Sequence, residues 1–170
     1  MGWNSLAASK GLNVDIKSGC GYPASALSNF APHPFIFDGV EVSSFEGLLQ
    51  SFKFDKVHIQ EEVCKLVGSA AKKRGKMRNW QERQTLYWRG KAYKRDSEDY
   101  QRLLDRAYQA MCDQNEGFRK ALLATGDAVL QHSIGRSKQS ETVLTKTEFC
   151  SRLMKLRKQL KDSQNRILTF

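Results

Sequence analysis

The period of the hydrophobic positions changes near residue 43. "FIFDGVEV", residues 35–42, alternates apolar and polar positions around Asp38-Gly39 and reads as a β-hairpin with a two-residue turn. Immediately after it, Phe45, Leu48, Leu49 and Phe52 fall at i, i+3, i+4 and i+7, the apolar stripe of an amphipathic helix that starts at about Ser44. The three prolines, Pro23, Pro32 and Pro34, all precede that helix, so strand and loop are expected over the first forty residues and mainly helix beyond them. A second helix is predicted over 59–75, "IQEEVCKLVGSAAKKRG", with Val63, Leu66, Val67 and Ala70 inward and Arg74 and Gly75 at its end. "NWQERQTLYW", 79–88, reads as a short third helix. A fourth starts at a Ser97 cap and keeps Tyr100, Leu103, Leu104, Ala107, Tyr108 and Met111 on one face. A fifth runs from an Asn115 cap to a Gly126 stop, "AVLQHSI" reads as a short strand, and the last helix opens on a Thr145-x-x-Glu148 capping box. No repeat, low-complexity tract or Pro/Gly-rich linker divides the chain. The pattern predicts one α+β domain, predominantly helical with a small N-terminal hairpin or sheet. Its bounds are an N-terminal segment 1–21, a domain 22–162 and a tail 163–170.

The helix after the hairpin also carries a polar line: Glu46, Gln50 and Lys53, spaced four and three. Two readings fit it. Ser43-x-x-Glu46 is a capping box, in which the carboxylate returns to the Ser43 amide while Gln50 and Lys53 are solvated. Alternatively the line looks into a pocket. Composition and spacing favour the first reading, and Gly47 weakens it: glycine here costs ~1 kcal/mol relative to alanine and leaves open space beside Glu46. So does "YPASALSNFAPHPF", whose small and aromatic residues suit a loop lining a cleft.

Charge adds a second focus. Residues 65–95 hold eleven Lys or Arg and a single acid, Glu82, a net of +10 that equals the charge of the whole chain. Trp80, Tyr87, Trp88 and Tyr93 lie inside this stretch, and basic residues interleaved with aromatics suit a phosphate backbone and unstacked bases. A solvated basic face is the alternative. The four cysteines are far apart and form no C-x-x-C pair, which argues against zinc and gives no disulfide framework. They read as free thiols of a cytoplasmic protein. No apolar run approaches the ~18 residues of a membrane span, and "MGWNSLAASKG" has no signal-peptide pattern. His33, His58 and His132 form no metal-ligand pattern and read as structural or exposed. Cys20 has no partner histidine to make it a nucleophile, and there is no P-loop or G-x-G-x-x-G. No metal and no cofactor are expected.

"ALSNFAPHPFIFDGVEVSSFEGLLQSFKF", "AAKKRGKMRNW", "FRKALLATGDAVLQH" and "FCSRLMKLRKQL" together resemble the NADAR, or YbiA-like, family over roughly residues 22–160. The marks are Ser28-Asn29-Phe30, the Asp38-Gly39 turn, Glu46 with Gln50, Lys53 and Phe54, Asn79-Trp80, and Leu122 to Thr125 ahead of a short strand. The resemblance implies N-glycosidase chemistry, cleavage between ribose C1 and a base-like nitrogen. Members act on early riboflavin-pathway intermediates or remove ADP-ribose from guanine in nucleic acid, reversing DarT-type toxins. It also implies that Glu46 and Trp80 belong to the active site. Three features depart from the family. An Asp-x-x-Trp-Gly segment is replaced by "HSIGRSKQSETVLTK", Gly47 stands where relatives often have His, and "YWRGKAYKRDSEDYQRLLD" reads as an insertion.

The residues carry this chemistry as follows. Breaking an N-ribosidic bond develops positive charge on the ribose, which a carboxylate stabilises directly or by activating water. Glu46 takes that role. Gln50 and Lys53 hold it or contact sugar hydroxyls; Trp80 either offers a face for stacking a base or is a core residue, and Asn29 and Phe30 either line the cleft or form a plain turn into the hairpin. Arg78 joins this substrate-binding set. Lys72, Lys73, Arg74 and Lys76, with Lys91, Lys94 and Arg95 of the insertion, are the expected diphosphate or nucleic-acid contacts. The expected partner is ADP-ribosylated nucleic acid, or ADP-ribose itself, with a functional pairing to an ADP-ribosyltransferase toxin. Two alternatives remain at this point: a small-molecule N-glycosidase, or a non-catalytic module that binds ADP-ribose or nucleic acid.

Overall fold

The computed structural model describes residues 12–168, so residues 1–11 of the N-terminal segment and the last two of the tail lie outside it. Chain order among the described residues is β1 (Val14–Asp15), α1 (Ala24–Leu27), β2 (Phe35–Phe37), β3 (Val40–Val42), α2 (Phe45–Ser51), α3 (Val57–Cys64), α4 (Gly68–Lys76), β4 (Thr85–Trp88), β5 (Lys91–Lys94), α5 (Glu98–Gln114), α6 (Glu116–Ala124), β6 (Leu130–Gln131) and α7 (Lys146–Leu168). The fold is α+β and mostly helical, as its pattern predicts. The strands pair as three two-stranded sheets: hairpins β2–β3 and β4–β5, and a parallel pair in which Val14 faces Leu130. That pair, with buried Ile16, builds part of the expected N-terminal segment into the domain. At the other end α7 continues through residues 163–168 of the expected tail.

α2 is the centre of the packing. Phe45, Leu48, Leu49 and Phe52 are each 2% exposed or less, and burying each such side chain stabilises the fold by ~1.5–3 kcal/mol. Phe45 stacks on Tyr108 of α5, ring centroids 3.8 Å apart. Caps form at Ser97, Asn115 and the Thr145/Glu148 box, where Thr145 N–H donates to Glu148 Oε1 at 2.8 Å and Glu148 N–H to Thr145 Oγ1 at 3.1 Å.

Three expectations fail for stated reasons. The second helix is two helices, broken at residues 65–67. Carbonyls freed at the break serve α2: Ser43 N–H donates to Cys64 O at 2.8 Å and Ser44 Oγ–H to Leu66 O at 2.8 Å. Gly68, at φ +59°, restarts the chain as α4. Val67 and Ala70 are therefore exposed, and Ala71 and Gly75 are buried instead. The expected third helix is a turn followed by β4. Leu86 and Trp88 are buried while Thr85 and Tyr87 are partly exposed, a period of two, and Arg89-Gly90 turns the hairpin with φ of 50° and 87°. One helical turn, α1, stands within the expected N-terminal loop.

Gly47 leaves no open space. A Cβ there would stand 2.7 Å from Leu66 O and 2.9 Å from Val63 O, so glycine is what lets the α3–α4 break seat against α2. Gly47→Ala gains ~1 kcal/mol of helix propensity but crowds backbone that cannot move cheaply, at ~1–3 kcal/mol. A lower melting temperature is expected; an unchanged or higher one would show that residues 63–66 yield.

Candidate active site

The N-terminus of α2 decides what Glu46 is free to do. Its cap is Ser44, whose Oγ accepts from Gly47 N–H at 3.1 Å. The Ser43 amide is taken by Cys64, and the Glu46 amide donates to the carbonyl of Asn29 at 2.9 Å. The capping box expected as an alternative does not form, and the Glu46 carboxylate has no capping duty. It faces a cleft of about 320 Å³, which is also lined by Gln50 of α2 and by Lys53, in the turn just after that helix.

Burial is the main influence on Glu46 and pushes its pKa above the ordinary glutamate value, while the charges of Lys72 and Lys53 and a hydrogen bond from Gln50 pull it back. Lys53 moves the other way. Burial lowers it, Glu46 partly restores it, and Lys72 lowers it further. Glu46, Lys53 and Lys72 thus form one coupled cluster in a partly desolvated site, where charges act strongly on one another. Gln50 is buried behind them. Its Oε1 has no hydrogen-bond partner among the described residues and fills the space a side chain at Gly75 would need, since a Cβ there would stand 1.8 Å away.

The facing walls bring in most of the remaining candidates. Asn29 and Phe30 line the cleft. Asn29 Oδ1 accepts from Tyr108 Oη–H at 2.9 Å, which fixes the amide, and among the described residues its NH2 group makes no hydrogen bond. Trp80 is both core and cleft: it is 6% exposed, packs in the hydrophobic core and contributes to the wall. Lys72 and Lys76 of α4 line it too. The loop after β6 supplies residues that sequence reasoning did not select: His132, dismissed there as structural or exposed, and Arg136, which pairs with Glu141 at 3.6 Å.

Other basic candidates stand elsewhere. Arg74 and Arg78 lie over the Phe54 ring at 4.6 and 5.1 Å, outside the cleft wall, so Arg78 is not placed against a substrate there. Lys73 is exposed on α4, Lys94 is exposed on β5, and Lys91 pairs with Asp99 at 3.5 Å. Arg95 corrects the expectation outright. It is 1% exposed and forks onto the Glu148 carboxylate at 2.5 and 3.1 Å, with Nε donating to Thr142 O at 2.7 Å. It cannot reach a phosphate; it braces the cleft wall formed by residues 141–144. Trp88 and Tyr93 are likewise buried in the core, so neither is a stacking platform. Asp38 has a structural task, accepting from Trp88 Nε1–H at 2.8 Å and from Arg106 at 2.9 Å. Among the described residues no group of three His, Cys, Asp or Glu could hold a metal ion, and no helix is long and apolar enough to cross a membrane.

The fold is similar to that of the E. coli protein YbiA, solved by NMR, with a TM-score of 0.62 over 91% of this chain and 88% of that one at 22% identity. In sequence, the chain is 39% identical over 149 residues to an uncharacterized 17.1 kDa protein of the Gp30–rIII intergenic region of Enterobacteria phage T4, covering 86% of this chain and 98% of the phage protein. Residues 21–158 match the family described as bacteriophage protein GP30.3, and on that span this chain belongs to the bacteriophage GP30.3 family.

Proposed function

We propose that the cleft hydrolyses an N-ribosidic bond, and that its substrate is ADP-ribose attached to guanine in DNA or RNA. The observation that carries the reading is the freed carboxylate. Asn29 and Ser44 satisfy the backbone around Glu46, leaving its side chain in a cleft beside Lys53, Lys72 and the Trp80 wall. As the bond to the base breaks, positive charge grows on the ribose, and an ionised Glu46 in a partly desolvated site stabilises it more strongly than it would in water. Trp80 stacks the base, the free amide of Asn29 takes a sugar hydroxyl, and Lys72, Lys76 and Arg136 on the rim take the diphosphate. The YbiA-like fold and the residues that resemble the NADAR family support the same reading. An ADP-ribosyltransferase toxin is the matching source of such a modification.

Exposed Lys73, Lys91 and Lys94 extend the positive charge beyond the cleft and favour a strand as the carrier of the modified base. If each contacts a phosphate of a single strand, log affinity falls with log salt by about 0.7 per contact. Replacing all three by Gln should then flatten the salt slope for a modified oligonucleotide by about 2 and leave cleavage of a mononucleotide substrate nearly unchanged. An unchanged slope, or equal losses on both substrates, would assign these lysines to solvent. A second reading keeps the chemistry but takes a small molecule, such as an early riboflavin-pathway intermediate. The burial of Arg95 favours it, because part of the charge counted in the sequence is not offered to a strand.

A further inference from the structure

His132 lines the same cleft as Glu46, one residue beyond β6. Its Nδ1 is 2.8 Å from the carbonyl oxygen of Ile16. A carbonyl only accepts, so Nδ1 carries the hydrogen and the neutral ring has its lone pair on Nε2. Nε2 has no hydrogen-bond partner among the described residues. The ring is held on two further sides. It meets Phe149 edge to face at 5.2 Å and 85°, and Gly135 closes against Cδ2, where a Cβ would stand 2.6 Å away. Tying the residues after β1 to those after β6 uses Nδ1 alone and needs no basic nitrogen in the cleft. A fixed tautomer with an unspent acceptor is the arrangement of a general base.

We propose that His132 is a catalytic residue of this cleft, the base that activates the attacking water; this rests on the N-glycosidase reading. The bond between ribose C1 and the base nitrogen breaks, and its electron pair stays with that nitrogen. The water oxygen bonds to C1 and gives one proton to Nε2. The resulting imidazolium keeps its Nδ1–H on the Ile16 carbonyl, then releases the Nε2 proton to the base nitrogen, directly or through water. Water and substrate become ADP-ribose with a C1 hydroxyl and the unmodified guanine of the strand, and His132 returns to neutral. Glu46 stays ionised throughout and stabilises the ribose charge. This divides between two residues the work that Glu46 would otherwise do alone, on a loop where the chain departs from the Asp-x-x-Trp-Gly pattern.

The test uses an oligonucleotide carrying ADP-ribose on one guanine, with a mononucleotide N-riboside in parallel. His132→Asn keeps an N–H for the Ile16 carbonyl but has no basic nitrogen. It should melt close to the parent, hold KM within a few-fold and lose about 10²–10⁴-fold in kcat. His132→Ala vacates the ring position, and added imidazole should restore part of its turnover. If wild type turns over and His132→Asn matches it within a few-fold, His132 is structural and the N-glycosidase reading stands without it. If His132→Asn fails to fold, absence of imidazole rescue in His132→Ala overturns the inference. If wild type cleaves neither substrate, both the inference and the reading beneath it fall.

Discussion

Glu46→Gln should lose at least 10³-fold in turnover while the protein folds and binds ligand as before. The amide is nearly isosteric, and Ser44, not Glu46, caps α2, so no helix contact is lost. Stability at neutral pH should hold or rise. A carboxyl whose pKa is raised on folding binds its proton more tightly in the folded than in the unfolded state. Its stabilising contribution is therefore present at low pH and lost as pH rises through the folded value. The substitution removes a charge that burial disfavours. The same shift sets the pH profile. Turnover requires ionised Glu46, so in His132→Asn, where no ring base titrates, residual turnover should rise with pH through a midpoint above the ordinary 4.5. Lys72→Gln should move that midpoint higher still, because Lys72 pulls it down. Near-normal turnover in Glu46→Gln would remove the carboxylate from the mechanism.

The largest stability loss is expected at Arg95, not at the cleft itself. Arg95→Met strands the buried Glu148 carboxylate, and breaking a buried pair from one side costs about 3–5 kcal/mol. Glu148 is pushed up by burial, but Arg95, the Thr145 amide and Gln101 together hold it below its usual value. Its stabilising contribution is thus present above the unfolded value near 4.5 and lost as pH falls through the depressed folded value. Arg95→Met should abolish that acid-side loss. Adding Glu148→Gln should recover much of the stability, since the amide oxygen still accepts from Thr145 N–H. Denaturant unfolding of the single and double variants measures this. Because Arg95 Nε holds Thr142 O and Tyr100 Oη holds Val143 O, KM should also rise in the single variant. Losses that merely add in the double variant would show that the pair is not coupled.

What the sequence disclosed and concealed follows from the range of the interactions. The β2–β3 hairpin, the α2 stripe and the caps at Ser97, Asn115 and Thr145 are local, and their residue types announce them. The β4–β5 hairpin was concealed because Arg89 adopts φ 50° beside Gly90, where Asp38 had signalled the same turn openly. The α3–α4 break was concealed because its cause lies some twenty residues away, in Ser43, Ser44 and Gly47. Arg95 read as surface charge because its partner is 53 residues on. In the site, Glu46 and Gln50 were legible as a line on one helix; Lys53, expected on the same helix, lies in the turn that follows it and still lines the cleft. His132 and Arg136 were not, since their loop is set by the long-range pairing of β1 with β6 and by the Arg136 carbonyl accepting from Lys146 N–H. The alternation in "TLYW" and "KAYK" around Arg89-Gly90 was the available signal for the missed hairpin.

The central claim is catalysis of N-ribosidic cleavage at Glu46. It is tested most directly by incubating wild type and Glu46→Gln with an oligonucleotide bearing ADP-ribose on a single guanine, then quantifying free ADP-ribose and unmodified strand over many turnovers. Wild type should release both in equal amounts, catalytically and without added metal, and Glu46→Gln should bind the oligonucleotide but release neither. Wild-type protein that binds the modified strand, or a mononucleotide N-riboside, without cleaving either would contradict the claim and leave the cleft a binding site.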